Sequence, residues 1–458
     1  MDPRRSRALA AVLLAATLTG CTGGGEGGGG EPGAAGLGDP YFPELGNGGY
    51  DVRHYALTLA YEPRTGRLTG TADITARATQ TLSAFNLDLT GLTVHGATVD
   101  GAPATVHRSG SEVTLRPGAG LRSGDTFRTV IRYSGTPVTL TDAEGAREGW
   151  LRTSDGAVAL GEPTGSTTWF PGNHHPSDKA TYALTVTVPN GLQAISNGEP
   201  APHRPSGDRT TFTWRSTEPM ASYLATLAIG RYETKTSRTP DGIPVHTAAR
   251  GNAPLLARIP ELLAWETKRF GPYPFTSTGA IVDPQIDVQY ALETQSRPFF
   301  DKNTFDASTL VHELAHQWYG NSVSPESWRD MWLNESFATY AEWLYAEDFA
   351  DTPAQDSFDE AFADDDNWAF PPADPPTAAD ISGPPVYGRG AMVLHKIRQA
   401  VGDDTFFGIL RGWAAKHRHA NASTEDFVTY VEDEAGEELT TVWDTYLYGD
   451  GRPTGPSA

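Results

Sequence analysis

Residues 312–316 read His312-Glu313-Leu314-Ala315-His316. Residues four apart on a helix lie on nearly the same face, so both imidazoles can reach one ion. Glu313, the neighbour of His312, projects toward the same cleft without joining the coordination shell. Asp306 or Ser308 can cap the start of such a helix, and Gly320 follows its expected end. Taken alone, the pair would also suit two surface histidines on an amphipathic helix. Eighteen residues separate His316 from Glu335, however, which opens a second helix through Ser336-Phe337-Ala338-Thr339-Tyr340. Two neutral imidazoles and one carboxylate leave a tetrahedral zinc one position open for water. Such a site lowers the pKa of that water toward roughly 7 and polarises a peptide carbonyl. A carboxylate within reach then takes the water's proton and passes it to a leaving amine, and Glu313 is the candidate. One zinc ion per chain is expected. Iron is disfavoured, because its facial triads do not come with this helical pair, whereas cobalt and manganese stay open.

The elements that must position these residues differ between the two halves of the chain. From about Tyr50 to Gly230, short runs alternate apolar and polar residues, as in His54-Tyr55-Ala56-Leu57-Thr58-Leu59-Ala60-Tyr61 and Thr181-Tyr182-Ala183-Leu184-Thr185-Val186-Thr187-Val188. Period two, broken by Gly, Pro and Asn, predicts antiparallel strands in a sandwich. After about Ala248 the period becomes helical: Leu255, Leu256, Ile259, Leu262, Leu263 and Trp265 form one apolar face. Further helices are predicted over 307–319, 332–349, 389–401, 403–417, 424–435 and 439–448, with a Pro-rich loop from Phe370 to Pro385. The expected organisation is a leader over 1–20, a Gly-rich tether over 21–44, a β-rich domain over 45–246, a catalytic domain over 247–450 and a tail over 451–458.

The run HELAHQWYGNSVSPESWRDMWLNESFATY, His312 through Tyr340, resembles the core of the gluzincin zinc aminopeptidases, the family of aminopeptidase N and leukotriene hydrolase. The resemblance extends upstream to Phe270-Gly271-Pro272-Tyr273-Pro274-Phe275. Downstream, Tyr387-Gly388-Arg389-Gly390-Ala391 is similar to the family's Tyr-x-Lys-Gly-Ala segment. It implies His312, His316 and Glu335 as metal ligands, Glu313 as base, and Tyr387 as the phenol that steadies a tetrahedral oxyanion. Tyr290-Ala291-Leu292-Glu293-Thr294 stands where the family carries Gly-Ala-Met-Glu-Asn, which implies that Glu293 binds the substrate's free amine. Here Gly, Met and Asn are replaced, so the amine anchor is kept while the side-chain preference is not implied. Glu162-Pro163-Thr164, with Trp169-Phe170-Pro171 and Pro176, resembles a second amine-binding loop and puts Glu162 on its glutamate. Leu160 and Gly172 depart from that loop's pattern. The implied fold is multidomain α+β: an N-terminal antiparallel β saddle or sandwich, then a thermolysin-like, mainly helical zinc catalytic domain. The family's large C-terminal helical domain is not expected here. His174 and His175 are read as loop residues, Asp364 to Asp366 as an exposed acidic patch, and Ser423 as a helix cap.

The N-terminus reads as a targeting segment. Arg4, Arg5 and Arg7 precede an apolar stretch from Ala8 to Leu18 that ends in Leu18-Thr19-Gly20-Cys21, which resembles a bacterial lipobox. Cys21, the single cysteine, is thus the candidate for lipidation, and the expected location is the outer face of the cell membrane, held by the lipid. No later apolar run approaches the roughly 20 residues needed to span a bilayer. A net charge of −22 argues against a nucleic-acid partner, whose phosphates need a basic face. The expected partners are peptides with a free N-terminus and the membrane, with no obligatory protein partner. An aminopeptidase is the leading reading. A thermolysin-like endopeptidase shares every metal residue, and an inactive lipid-anchored peptide-binding protein is the alternative from another class.

Overall fold

A computed structural model of the chain describes residues 30–142 and 145–455. The leader and Cys21 lie outside the described residues. From Glu31 onward the chain belongs to the fold, which shortens the tether expected over 21–44. Glu31–Pro32 pairs with the strand Leu82–Asp88, and Asp39 is bonded into both halves. Its buried carboxylate accepts from Ser327 Oγ (2.8 Å), the Trp328 amide (3.0 Å) and His175 Nε2 (3.4 Å). Burial opposes its ionisation, yet these donors hold its pKa down at about 2.

The N-terminal half is built on an eleven-stranded sheet. The strands Tyr50–Glu62 and Lys179–Pro189 alternate buried and more exposed residues, as their sequences predict. Most pairings are antiparallel, but these two run parallel to each other. The reason is topological: a long connection through residues 63–178 separates them, and only such a crossover can return a strand in the same direction. A second, five-stranded sheet packs against the first through aromatic contacts such as Tyr61 on Trp150, with ring centroids 5.1 Å apart. Its strands Ala157–Leu160 and Leu227–Gly230 are buried at every residue, as expected for strands covered on both faces.

The second half is mainly helical: α1 Ile259–Phe270, α2 Ala307–Ala315, α3 Trp332–Phe349, α4 Ala354–Ala363, α5 Gly390–Val401, α6 Asp403–Lys416 and α7 Thr424–Ala435. Its four-stranded sheet runs Glu233–Arg238, Pro244–Ala249, Thr278–Val282, Phe299–Phe300. The second of these strands spans the 246/247 junction and pairs in parallel with the third. Helix α2 stops sooner than its apolar pattern suggests. Beyond Ala315 the amides of Asn321, Ser322 and Val323 reach back five residues, to His316, Gln317 and Trp318, so the last turn widens. Helix α4 lies outside the predicted helices: it is short and buries only Ala354 and Phe358, which gives too brief an apolar stripe to set a period. Ser423 caps α7 with Asp426 in a reciprocal capping box, as read, and Asp364, Asp365 and Asp366 are exposed.

Candidate active site

Helix α2 starts at Asp306, whose side chain accepts from the Thr309 amide, and buries Leu310, Val311, Leu314 and Ala315 among core residues. That packing turns His312, Glu313 and His316 toward α3. Helix α3 follows a capped turn at Ser327–Asp330, and Asp330 also accepts from the Thr424 amide and hydroxyl. Glu335 sits in the first turn of α3. The Nε2 atoms of His312 and His316 lie 3.3 and 3.4 Å from the same Glu335 Oε2. Ligand atoms of the three residues are all within 4.8 Å of one another.

The far side of each imidazole is also engaged. His312 Nδ1 donates to Glu342 Oε1 (2.7 Å), which is itself oriented by Ser308 (2.6 Å), and His316 Nδ1 donates to the Tyr319 carbonyl (3.0 Å). With the protons on Nδ1, both Nε2 lone pairs face Glu335. Two imidazole nitrogens and one carboxylate oxygen, converging this closely, fit a zinc ion. The electrostatics agree. Burial disfavours the imidazolium of His316, yet Glu335 and Glu293 raise its pKa to about 9, and Glu335 and Glu342 raise His312 against the same penalty. Glu335 is held well below the usual carboxylate range by the two imidazoles, despite its burial. The cluster thus carries surplus negative charge that calls for cations.

Glu313 is buried with Oε2 unpartnered. Burial pushes its carboxyl up to about 8, opposed by the two imidazoles and reinforced by Glu293 and Glu335; a divalent cation beside it would draw this down again. Glu293 is buried too, with Oε1 unpartnered, and its backbone carbonyl accepts from Asn321 Nδ2 (2.6 Å) and Gln317 Nε2 (3.4 Å). Glu162 arrives from the N-terminal half, and its carboxylate comes within 4.8 Å of those of Glu293 and Glu335. Burial, and then repulsion from Glu293 and Glu335, push the Glu162 carboxyl well up. The Tyr387 ring stacks on His312 at 6.1 Å and 19°. It sits in a wide turn, Pro385–Arg389, leading into α5. That turn lies tight against α3: Ser336 Oγ donates to the Val386 carbonyl, and a Cβ on Gly390 would fall 1.7 Å from Ser336 Oγ. Arg389, where the resembled segment has lysine, is fully buried and donates to the carbonyls of Phe370, Thr445, Tyr446 and Gly449.

All seven site residues expected in the described chain therefore line one cleft of about 670 Å³, with walls from both halves. His174 and His175 stand apart from every metal-competent cluster among the described residues. Each is buried and hydrogen-bonded, to Ser222 and the Phe170 carbonyl and to Ser177 and Asp39. Sequence reasoning missed Glu342, Gln317 and Asn321. Glu342 had a signal, since it lies seven residues after Glu335 on the same helical face; Asn321 had none, because it reaches Glu293 only through tertiary packing.

Comparison with known proteins places this arrangement. Residues 52–224 match the peptidase M1 N-terminal domain and residues 291–446 the peptidase family M1 domain. The structure of an M1 zinc metallopeptidase from Deinococcus radiodurans is 30% identical, with a TM-score of 0.86, covering 92% of this chain and 98% of that one. The chain belongs to peptidase family M1. Among M1 relatives, it is 27% identical over 329 residues to aminopeptidase M1-A of Oryza sativa subsp. japonica and 25% identical over 324 residues to the tricorn protease-interacting factor F2 of Thermoplasma volcanium. Those matches take in 65% and 64% of this chain but only 37% and 40% of the relatives' own lengths. A mutant of the Deinococcus M1 enzyme has been solved with a Tyr-Ser-Ala substrate, and this chain superposes on it with a TM-score of 0.85.

In this M1 chain, Glu342 has a testable part. Glu342→Gln removes the charge that orients His312 Nδ1, so zinc affinity should fall roughly 10- to 100-fold. Competition against a graded chelator series reads this directly; unchanged affinity would assign Glu342 to helix packing alone.

Proposed function

We propose that this protein is a zinc aminopeptidase, hydrolysing the first peptide bond of peptides that carry a free N-terminus. The observation that carries the reading is the pair Glu162 and Glu293, brought from opposite walls of the cleft to within 4.8 Å of the Glu335 carboxylate. An ammonium held between them lies beside the metal cluster, so the first peptide bond is the one that reaches it. An endopeptidase would have no use for such a pair, since its substrate runs on past the cleft without a charged end. The tripeptide bound by the Deinococcus relative supports a peptide as substrate.

Held by His312, His316 and Glu335, zinc supplies a Lewis acid and lowers the pKa of water. Glu313 takes a proton from the attacking water and delivers it to the departing amine nitrogen. The Tyr387 hydroxyl donates to the carbonyl oxygen as charge develops there, a contact worth most in the transition state. Glu162 and Glu293 fix the substrate's amine and hence the register of the chain. A panel of aminoacyl reporter substrates, free and N-acetylated, run alongside zinc analysis, tests the whole reading. Free-amine substrates should be cleaved and blocked ones spared; cleavage of blocked peptides at internal bonds would make it an endopeptidase, and zinc without turnover a binding protein.

The same proposal places the protein outside the cell, held on its membrane by a diacylglycerol on Cys21. The supporting feature is the Leu18-Thr19-Gly20-Cys21 sequence after a basic and apolar leader. Among the described residues no helix is long and apolar enough to cross a membrane. Two acyl chains give stable anchoring where one gives only marginal binding. The wild-type protein should therefore sediment with membranes, and Cys21→Ala should not be processed at that site. Recovery of the wild type in the medium with an unmodified thiol would exclude the anchor.

A further inference from the structure

The two amine-binding carboxylates sit on loops that belong to different halves of the molecule, yet both loops are fastened to one strand, Arg147–Arg152. Glu148, the second residue of that strand, is 2% exposed. Its carboxylate accepts from Thr164 Oγ1 (2.6 Å), the Thr164 amide (3.0 Å) and the Gly165 amide (2.7 Å). These donors come two and three residues after Glu162. Among the described residues no lysine or arginine figures among the groups acting on Glu148, and burial pushes its carboxyl up to about 7 against its three donors. A buried carboxylate without a counter-charge is costly to keep, and here the three donors of the Glu162 loop offset that cost. The loop is also pressed flat on the strand, because a Cβ on Gly165 would lie 2.2 Å from the Leu160 carbonyl oxygen and 2.5 Å from the Gly149 nitrogen.

The other loop is fastened one residue earlier. Tyr290 Oη donates to the Arg147 carbonyl (2.8 Å), reaching across from the catalytic half. Tyr290 begins the Tyr290-Ala291-Leu292-Glu293 run and lines the cleft, at the position where the resembled segment carries glycine and has no side chain to reach with. A second contact ties the segment leading into that run to the turn that follows the strand: Gln285 Oε1 accepts from the Ser154 hydroxyl (2.7 Å) and amide (3.1 Å). Adjacent residues 147 and 148 thus hold, on one side, the loop bearing Glu293 and, on the other, the loop bearing Glu162.

We propose that Glu148 and Tyr290 are positioning residues for the substrate's amine, a clamp on one strand that sets the separation of Glu162 and Glu293. The proposal rests on the reading of that pair as the amine site. Neither residue needs to touch the reacting atoms. Each holds a carboxylate-bearing loop at the distance at which both oxygens can meet one ammonium, and the clamp spans the two halves without closing the cleft. Its loss should weaken capture of the free amine while leaving the metal and the base in place.

The test uses the whole enzyme with its zinc. Tyr290→Phe removes the hydrogen bond and keeps the ring; Glu148→Gln keeps the shape but turns an amide against the loop's donors. Each should raise KM for a free aminoacyl reporter about five- to tenfold, the worth of one hydrogen bond to a charged or buried partner, with kcat changed less than about twofold. Zinc per chain should stay as in the wild type. The decisive reading is a double-mutant cycle. Since Glu148 acts through Glu162, Glu148→Gln should add no further loss of KM in a Glu162→Ala background. Full additivity in that cycle, an unchanged KM in Tyr290→Phe, or an equal loss of kcat on free and blocked substrates would each overturn the clamp. If Glu148→Gln does not fold, Thr164→Val breaks the hydroxyl bond from the other side and should show the same KM shift. A wild type indifferent to N-acetylation would instead remove the amine site itself, an outcome distinct from a clamp that fails in an enzyme with normal amine preference.

Discussion

Glu313→Gln should bind zinc almost as the wild type does and turn over roughly 10²–10⁴ times more slowly. The substitution is nearly isosteric, so the packing of α2 is undisturbed; Glu313 also converges with Glu293 and His316, but only His312, His316 and Glu335 bring two imidazoles and a carboxylate together, so zinc is expected there. What is lost is a carboxylate oxygen that is buried, unpartnered and aimed into the cleft, and with it the ability to accept a proton. Substrate affinity should change little, because the proton moves only as the transition state is approached. Glu335→Ala provides the contrast: it deletes the one oxygen that both Nε2 atoms face and should lose the metal along with activity. Zinc per chain and kcat, measured on both variants, separate metal binding from chemistry. Full turnover in Glu313→Gln would falsify its assignment as the base.

Glu293→Ala should lower kcat/KM on free-amine substrates by roughly 10²–10³, as expected when one partner of a desolvated charge pair is removed. Zinc content should not change. A substrate's α-amine has an unperturbed pKa of about 8, so it enters as a cation near neutral pH and as a neutral amine well above that. Wild-type KM should therefore rise as pH climbs through about 8, and Glu293→Ala should flatten that rise because the charge no longer has its partner. N-acetylation makes the same change on the substrate side: it removes the cation, adds bulk and leaves both carboxylates without a counter-ion. The ratio of free to acetylated turnover should be large in the wild type and shrink sharply in Glu293→Ala. A ratio near one in the wild type would argue for cleavage without recognition of the N-terminus.

The candidate metal ligands were legible from sequence alone because their geometry is helical and local. Four residues bring His312 and His316 to one face, and the first turn of the next helix supplies Glu335; both helices fall within the predicted spans 307–319 and 332–349. The alternation in Tyr50–Glu62 and Lys179–Pro189 was legible for the same reason, since it follows from the pleat of each strand. That these two strands run parallel was not, because pairing depends on how the intervening residues cross over rather than on either strand's own pattern. Glu162 and Glu293 could be named through resemblance, but their approach to one another is a property of the packed halves. The same holds for Asp39, which reaches Trp328 across 289 residues of chain, and for Tyr290, which reaches Arg147 across 143. Such contacts leave no period in the sequence. They form only when burial of the surrounding apolar faces brings distant polar groups together, and a buried donor or acceptor must then find a partner or cost stability. Local sequence thus specified the candidate metal ligands and the elements that carry them, while the cleft around them, and the spacing of the Glu162 and Glu293 carboxylates, were decided by tertiary packing.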